Sequence, residues 1–410
     1  MLEQLPSPSE KRLAIRVTPA AERAIRSGHP WLFEQAIAKE SADGRAGDIA
    51  VIFDRKKRFL AVGLYDPNGL IRVRVLEYGR PAIIDQQWFH DKIAAAAKLR
   101  VPLLKTKTNG YRLVHGENDG LPGLVIDRYD NSYVVKLYTV AWVPHLPAVI
   151  DALRAAVGAI ADPYRVVLRL GRDAERQKSA LFGLQNGDIL FGAPLDGPIS
   201  FQENGLNFET DVVRGQKTGF FLDQRENRAR VEELAKDKSV LNVFAYTGGF
   251  SLYAARGGAK SVLSLDSSHP ALNAAARNFD LNPALSDVRH RLLKGDAFEK
   301  LGELQASGNL YDMVIIDPPS FAKSQAEIDR ALSAYARLVR LGLNVLEEGG
   351  ILVMASCSSR VESDEFFKIV HRTAREMRRS LKEIARSAHA LDHPISFKEG
   401  AYLKCLFATG

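Results

Sequence analysis

Apolar and polar positions alternate differently in three stretches of the chain. From Lys11 to Gly79, Leu13-Ala14-Ile15-Arg16-Val17 and Ile71-Arg72-Val73-Arg74-Val75 alternate with period two, the signature of half-buried strands. Gly44, Gly47 and Gly63 punctuate the strands between, which predicts a small β-barrel with one short helix near Ala20–Arg26. From Pro81 to Thr210 the pattern is mixed. Phe89, Ile93, Ala96 and Ala97 share one face of a helix over Trp88–Leu99. Leu124–Ile126 and Tyr133–Leu137 read as strands joined by the turn formers Tyr129-Asp130-Asn131-Ser132. A helix over Ile150–Val157 and a strand over Arg165–Leu170 follow. From Asp211 onward, short apolar runs of the kind buried in parallel sheets occur at Val240–Phe244, Ser261–Leu265, Tyr311–Ile316 and Gly350–Ala355. Ile328, Leu332, Ala336, Val339, Leu343 and Leu346 recur at helical spacing before the last of these, with Gly349-Gly350 expected to stop the helix. Alternating strands and helices predict a doubly wound α/β sheet, whose ligands bind at the carboxyl ends of its strands.

A chain of 410 residues exceeds one ordinary core. Three domains are expected: residues 11–80, 81–210 and 211–410. No apolar run approaches the ~20 residues of a membrane-spanning helix, so no membrane partner is expected. Two cysteines, Cys357 and Cys405, are too few for a disulfide scaffold and favour a reducing, cytoplasmic setting. The net charge of +7 suits a polyanionic partner, but equally many enzymes of small metabolites.

Four strand ends carry a consistent set of residues. The first run continues into Phe244-Ala245-Tyr246-Thr247-Gly248-Gly249, a tight turn where glycine lets backbone approach a ligand. Gly-x-Gly-x-x-Gly is absent, so a pyrophosphate cradle is not indicated. The second run ends at Asp266, about 20 residues on, where a carboxylate can accept both ribose hydroxyls. The third strand end, Lys294-Gly295-Asp296-Ala297-Phe298, offers an acceptor for an adenine amino group, although Asp296 reads equally as a helix cap. The fourth, Asp317-Pro318-Pro319-Ser320-Phe321, is a rigid loop that directs backbone carbonyls toward the reacting end of a cofactor, with Asp317 able to reach a polar base edge.

Together these residues resemble the motifs of class I S-adenosylmethionine methyltransferases. The chain as a whole resembles the bacterial large-subunit ribosomal RNA cytosine-5 methyltransferases that carry an N-terminal PUA domain. The match rests on Gly28-His29-Pro30-Trp31-Leu32-Phe33, on Gly116–Leu124, on Lys217–Arg228 and on Ser356-Cys357-Ser358. The resemblance implies a Rossmann-like domain preceded by a PUA-like barrel and a mixed α+β middle domain. It implies S-adenosylmethionine as cofactor, held by Gln224, Arg228, Phe244, Tyr246, Thr247, Gly248, Asp266, Asp296, Ala297, Asp317 and Pro318. Large-subunit ribosomal RNA or its assembly intermediate is the implied partner, and a homodimer is compatible with it.

Cys357 follows the strand Ile351–Ala355 and so falls on the same rim as Asp317. Buried free cysteines are common as small apolar residues, and spacing alone leaves that reading open. The resemblance makes Cys357 the nucleophile that activates carbon 5 of a pyrimidine by adding to carbon 6. Many neighbouring enzymes hold a second cysteine after the loop proline. Ser320 stands there here, so the last proton must leave through Asp317, water or another base. Pro319 and Phe321 are candidates to touch the target base, and Arg55-Lys56-Lys57-Arg58 to touch RNA phosphates from a hairpin turn, although the run taken by itself reads more readily as a solvated turn. Cys405 reads as core. No metal is expected: there is no zinc spacing, His-Glu-x-x-His or P-loop. Three alternatives remain: the same fold acting on a guanine without covalent catalysis, a cofactor-binding assembly factor without methyl transfer, and a small-molecule methyltransferase, which the appended barrel disfavours.

Overall fold

In the computed structural model, which describes residues 2–41, 43–158, 164–322 and 324–410, the alternation of Leu13, Ile15 and Val17 builds the strand Arg12–Val17 with one buried side. It lies in a six-stranded sheet ordered Trp31–Phe33, Ile71–Tyr78, Phe59–Tyr65, Ile49–Phe53, Arg12–Val17, Ile37–Glu40. The short helix is Pro19–Arg26, capped by the Thr18 hydroxyl. A second sheet holds Gly110–His115, Leu124–Tyr129, Ser132–Leu137, Arg165–Leu170 and Ile189–Phe191. The helix Gln86–Leu104 packs beside it. One apolar core runs through both, joining Ile49, Val62, Leu64 and Leu76 of the barrel to Phe89, Ile93, Ile126 and Trp142. The barrel is therefore not walled off at residue 80, because its outer apolar positions are covered by the middle segment. Val140–Val157 has the length and apolarity of a membrane span, but 61% of it is buried in this core.

By contacts the chain forms two compact units: Met1–Gly205, Thr210–Phe220 and Leu391–Lys398 make the first, and Leu206–Glu209, Phe221–Ala390 and Glu399–Gly410 the second. A division at residue 210 read along the sequence does not anticipate the return of Leu391–Lys398 to the first unit. That segment is held by charge. The Asp392 carboxylate accepts from the Arg112 backbone N–H at 2.8 Å, and its carbonyl accepts from the buried Arg100 guanidinium at 2.9 Å. Arg100 also grips Asp119 in a fork at 2.7 and 2.9 Å.

The second unit carries a seven-stranded sheet ordered Arg289–Lys294, Ser261–Asp266, Ser239–Val243, Tyr311–Ile316, Leu346–Ser356, Lys404–Thr409, Lys382–Ser387. The first five are parallel, and Lys404–Thr409 runs antiparallel between its two neighbours. The strand order reverses between Ser239–Val243 and Tyr311–Ile316, the place where such sheets open a crevice. The helix Ile328–Asn344 stops earlier than the spacing predicts. Leu346 already belongs to the next strand, and Gly349 (φ 73°) lies where that strand's register against Tyr311–Ile316 shifts.

Candidate active site

The loop after Ser239–Val243 is strained. Phe244 and Tyr246 have φ of 61° and 48°, a region where side chains other than glycine are uncommon. Such strain persists only where surroundings enforce it, and it gathers at ligand sites. The enforcing bonds are visible. Asp266 Oδ2 accepts from the Tyr246 N–H and Oδ1 from the Ser268 N–H, each at 2.8 Å. Asn278 Nδ2 donates to the Thr247 carbonyl at 2.8 Å. Gly248 (φ 80°) begins the helix Gly249–Arg256, and a Cβ there would meet the Ala275 Cβ at 2.9 Å. Below the loop, Asn242 Nδ2 donates to the Ser251 hydroxyl at 2.9 Å. That hydroxyl lies 2.7 Å from the Ser264 hydroxyl, itself 2.9 Å from His290 Nε2. Burial lowers the His290 pKa to about 4, so the ring is neutral.

These features fit a nucleoside-bearing ligand. The half-buried Asp266 carboxylate is fixed by backbone yet keeps a lone pair on each oxygen that a hydroxyl donor can use. Among the described residues the buried Thr247 hydroxyl has no hydrogen-bond partner, an orphan that a bound ligand can satisfy. Asp296 caps the helix Ala297–Ala306 through Oδ1, which accepts from the Phe298 and Glu299 N–H groups. Its capping role is real, and Oδ2 makes no hydrogen bond with the described residues. Ala297 is buried at the first turn. The Phe298 ring is covered by the Arg337 guanidinium at 4.6 Å.

Gln224 and Arg228 are buried just ahead of the sheet. Asn227 Nδ2 donates to Gln224 Oε1 at 2.5 Å, and Arg228 Nη1 donates to the Phe221 carbonyl at 2.9 Å. The Phe221 ring meets Tyr246 edge-on at 5.2 Å, which links this segment to the strained loop.

The Asp317–Phe321 loop and Cys357 come together. The Cys357 thiol, half-buried, donates to the Pro318 carbonyl at 3.8 Å. The Ser320 and Ser358 hydroxyls both donate to the Ala322 carbonyl, at 3.2 and 3.4 Å. Pro319 is exposed. Phe321 packs edge-on against Tyr335 at 5.3 Å, and the Tyr335 hydroxyl lies 2.8 Å from that of Ser356. Burial pushes the Tyr335 phenol well above its ordinary value, so it stays protonated. Cys405 is fully buried in Lys404–Thr409, and burial raises its thiol pKa well above the usual range. It is a core residue.

Lys404 has no counterpart among the sequence-based candidates. It is 2% exposed, and its ammonium donates to the carbonyls of Ser358, Val361 (2.5 Å) and Tyr402 (3.3 Å). Two of these belong to the segment that follows Cys357. Burial lowers its pKa to about 8, opposed by the charges of Cys357 and Glu362. A lysine opening an otherwise apolar terminal strand was the available signal.

In the first unit, Arg55, Lys56, Lys57 and Arg58 are exposed in the turn between Ile49–Phe53 and Phe59–Tyr65. Arg58 is tied down by the buried Asp54 (Nε to Oδ2, 2.6 Å).

The S-adenosylmethionine-dependent methyltransferase family matches residues 111–407, and a PUA-like domain matches residues 15–78. A Ribosomal RNA large subunit methyltransferase of Deinococcus radiodurans is 47% identical over 98% of both chains. A Ribosomal RNA large subunit methyltransferase I of Alteromonas mediterranea is 38% identical over 95% of this chain and 96% of its own. A solved methyltransferase complexed with SAH superposes with a TM-score of 0.81 at 21% identity, covering 97% of this chain and 100% of that one, and shares the fold. The strained loop, the fixed Asp266 and the matched families agree, and the chain belongs to the S-adenosylmethionine-dependent methyltransferases with a PUA-like domain, the family of these relatives.

Proposed function

We propose that this protein methylates carbon 5 of a cytosine in large-subunit ribosomal RNA, in the cytoplasm, through a covalent adduct of Cys357. The observation that carries this reading is the Cys357 thiol 3.8 Å from the Pro318 carbonyl, inside the Asp-Pro-Pro loop. A guanine nitrogen has its own lone pair and needs no thiol there. Carbon 5 of cytosine is a poor nucleophile and needs one. The names of the relatives support ribosomal RNA as the substrate class.

S-adenosylmethionine, when bound, supplies an electrophilic methyl group. Asp266, the backbone of Phe244–Gly248, Thr247 and Asp296 hold its nucleoside, with Gln224 and Arg228 bracing the wall beside them. Cys357, as thiolate, adds to carbon 6 of a base flipped out of its stack. The new S–C bond pushes electron density to carbon 5, which would then take the methyl group as the donor's sulfur–methyl bond breaks and S-adenosylhomocysteine is left. Asp317 contacts the base edge and, in its carboxylic-acid form, donates its proton to ring nitrogen 3 as negative charge develops there, taking it back when the adduct collapses, while Pro319 and Phe321 flank the base. The carbon 5 proton then passes to a base, the S–C bond breaks, and the thiolate is restored with the aromatic ring. Lys404 is a positioning residue: its ammonium holds the Ser358–Val361 carbonyls and favours the thiolate.

The test is direct. Unmodified large-subunit ribosomal RNA incubated with the protein and S-adenosylmethionine should yield 5-methylcytosine at one position by mass mapping. Methylation of a guanine instead would overturn the assignment. For the cofactor site, Asp266→Ala should lower S-adenosylmethionine affinity at least tenfold by calorimetry. The lost charge-assisted bonds are worth about 1.5–3 kcal/mol each, and about 1.4 kcal/mol is tenfold. Unchanged affinity in a folded variant would remove Asp266 from the ribose site.

A further inference from the structure

The outer side of the six-stranded sheet carries a feature that the methyl-transfer chemistry does not use. Arg16 lies in register with Lys39 on one neighbouring strand and with Phe53 on the other. Residues paired across strands share a face, so the three form a row. Leu13, Ile15 and Val17 point to the buried side, which puts the row outside. Together with Ala14, Ser41 and Lys57, these side chains line a concavity of about 410 Å3. Lys57 reaches it from the turn, with φ of 63°.

Charge distinguishes this concavity from an ordinary wet sheet face. Its lining has three cations, one aromatic ring and no carboxylate. Among the described residues, Arg16, Lys39 and Lys57 make no ion pair, whereas nearby Arg26 and Arg58 both reach Asp54. Three like charges around one hollow repel each other unless an anion neutralises them. The hollow is larger than a phosphate needs and lies within the range of small-ligand sites, about 300–1,000 Å3. Phe53 supplies the flat apolar surface on which bases of any sequence stack.

We propose that this face binds a nucleotide of an unpaired RNA strand, with its phosphates on Arg16, Lys39 and Lys57 and its base on Phe53. The inference rests on the reading of RNA as substrate and extends it to a second contact on the sheet of the PUA-like domain. Phosphate contacts fix the register of a bound nucleic acid without reading its sequence. The site therefore recruits and orients RNA and takes no part in bond making.

The experiment uses the full-length protein and an unmodified large-subunit ribosomal RNA transcript. Affinity is measured by filter binding across a salt series for wild type, for Arg16→Gln/Lys39→Gln/Lys57→Gln and for Phe53→Leu. S-adenosylmethionine binding checks that each variant is folded. The triple variant should bind RNA at least tenfold more weakly, with a log–log salt slope smaller by about 2, since each lost phosphate contact removes about 0.7–0.9. Phe53→Leu should weaken binding several-fold and leave the slope unchanged, since it removes stacking and no charge. Ultraviolet crosslinking of 4-thiouridine-substituted transcript should mark the peptide containing Phe53. Wild-type affinity and slope in the triple variant would overturn the site while leaving the methyltransferase reading intact. Weakening by the triple variant with no effect of Phe53→Leu and no crosslink would also overturn it, reducing the face to an unspecific polyanion surface. Failure of the wild type to bind the transcript would overturn both readings.

Discussion

Cys357→Ser should abolish methyl transfer, lowering turnover by orders of magnitude while S-adenosylmethionine binding stays normal. The substitution keeps the size of the side chain and its place beside the Pro318 carbonyl. It replaces a thiol, which can form the attacking thiolate, with a hydroxyl that hardly ionises, so addition to carbon 6 has no competent nucleophile. A second measurement separates chemistry from folding. RNA carrying 5-fluorocytosine at the target should trap wild-type protein as a covalent complex, because fluorine blocks the final proton abstraction. The serine variant should not be trapped. Near-normal turnover of Cys357→Ser would sink the covalent mechanism and return the guanine reading to first place.

Lys404→Met should lower turnover about tenfold near neutral pH and change the shape of the pH profile. The wild-type profile should be bell-shaped. Its acid limb reports formation of the Cys357 thiolate. Its alkaline limb reports loss of the Lys404 proton, whose pKa burial lowers from 10.5 to about 8. The sign follows from the charge: below about 8 the ammonium is present and favours the thiolate, and as pH rises through that value the support disappears. In Lys404→Met the alkaline limb should vanish and the acid limb move up by about one pH unit, as expected when a close opposite charge is removed. Lys404→Arg should keep the acid limb near its wild-type position and lose the alkaline one, since guanidinium does not titrate there. A purely structural lysine gives another result, a uniform loss at all pH values with both limbs in place. The pH dependence of Cys357 alkylation by iodoacetamide provides the same readout without RNA.

The legible part of this molecule was its local part. The runs at Val240, Ser261 and Tyr311 read as parallel strands because each is a short apolar stretch closed by a glycine turn or an aspartate. The residues that end them therefore fell on one rim. Asp296 shows the limit: capping and ligand binding use the same carboxylate, and only geometry reveals that one oxygen caps while the other makes no bond within the described chain. Lys404 was missed because an isolated lysine in a terminal strand carries no periodic signal, and its meaning comes from three carbonyls that fold around it. The sequence offers Arg58 as a phosphate-contact candidate, and the fold adds that a carboxylate four residues away holds it. The helix end at Asn344 was misplaced because Leu346 continues the helical spacing while pairing as a strand with Tyr311.

The residence of Leu391–Lys398 in the first unit also sets the order in which the protein matures on the ribosome. The first 205 residues are synthesised before residue 391, so the first unit is complete only once Leu391–Lys398 joins it. Until Asp392 emerges, Arg100 and the backbone of Arg112 lack the acceptors that the completed unit gives them. An unmet buried donor costs about 1–3 kcal/mol, a large share of a domain's net stability. The sheet of the second unit awaits Lys404–Thr409, the strand that joins its last two neighbours. Multidomain chains commonly complete their domains one after another as they emerge. Here both units are completed within the same few codons, so a nascent chain stalled before residue 391 holds neither unit in finished form.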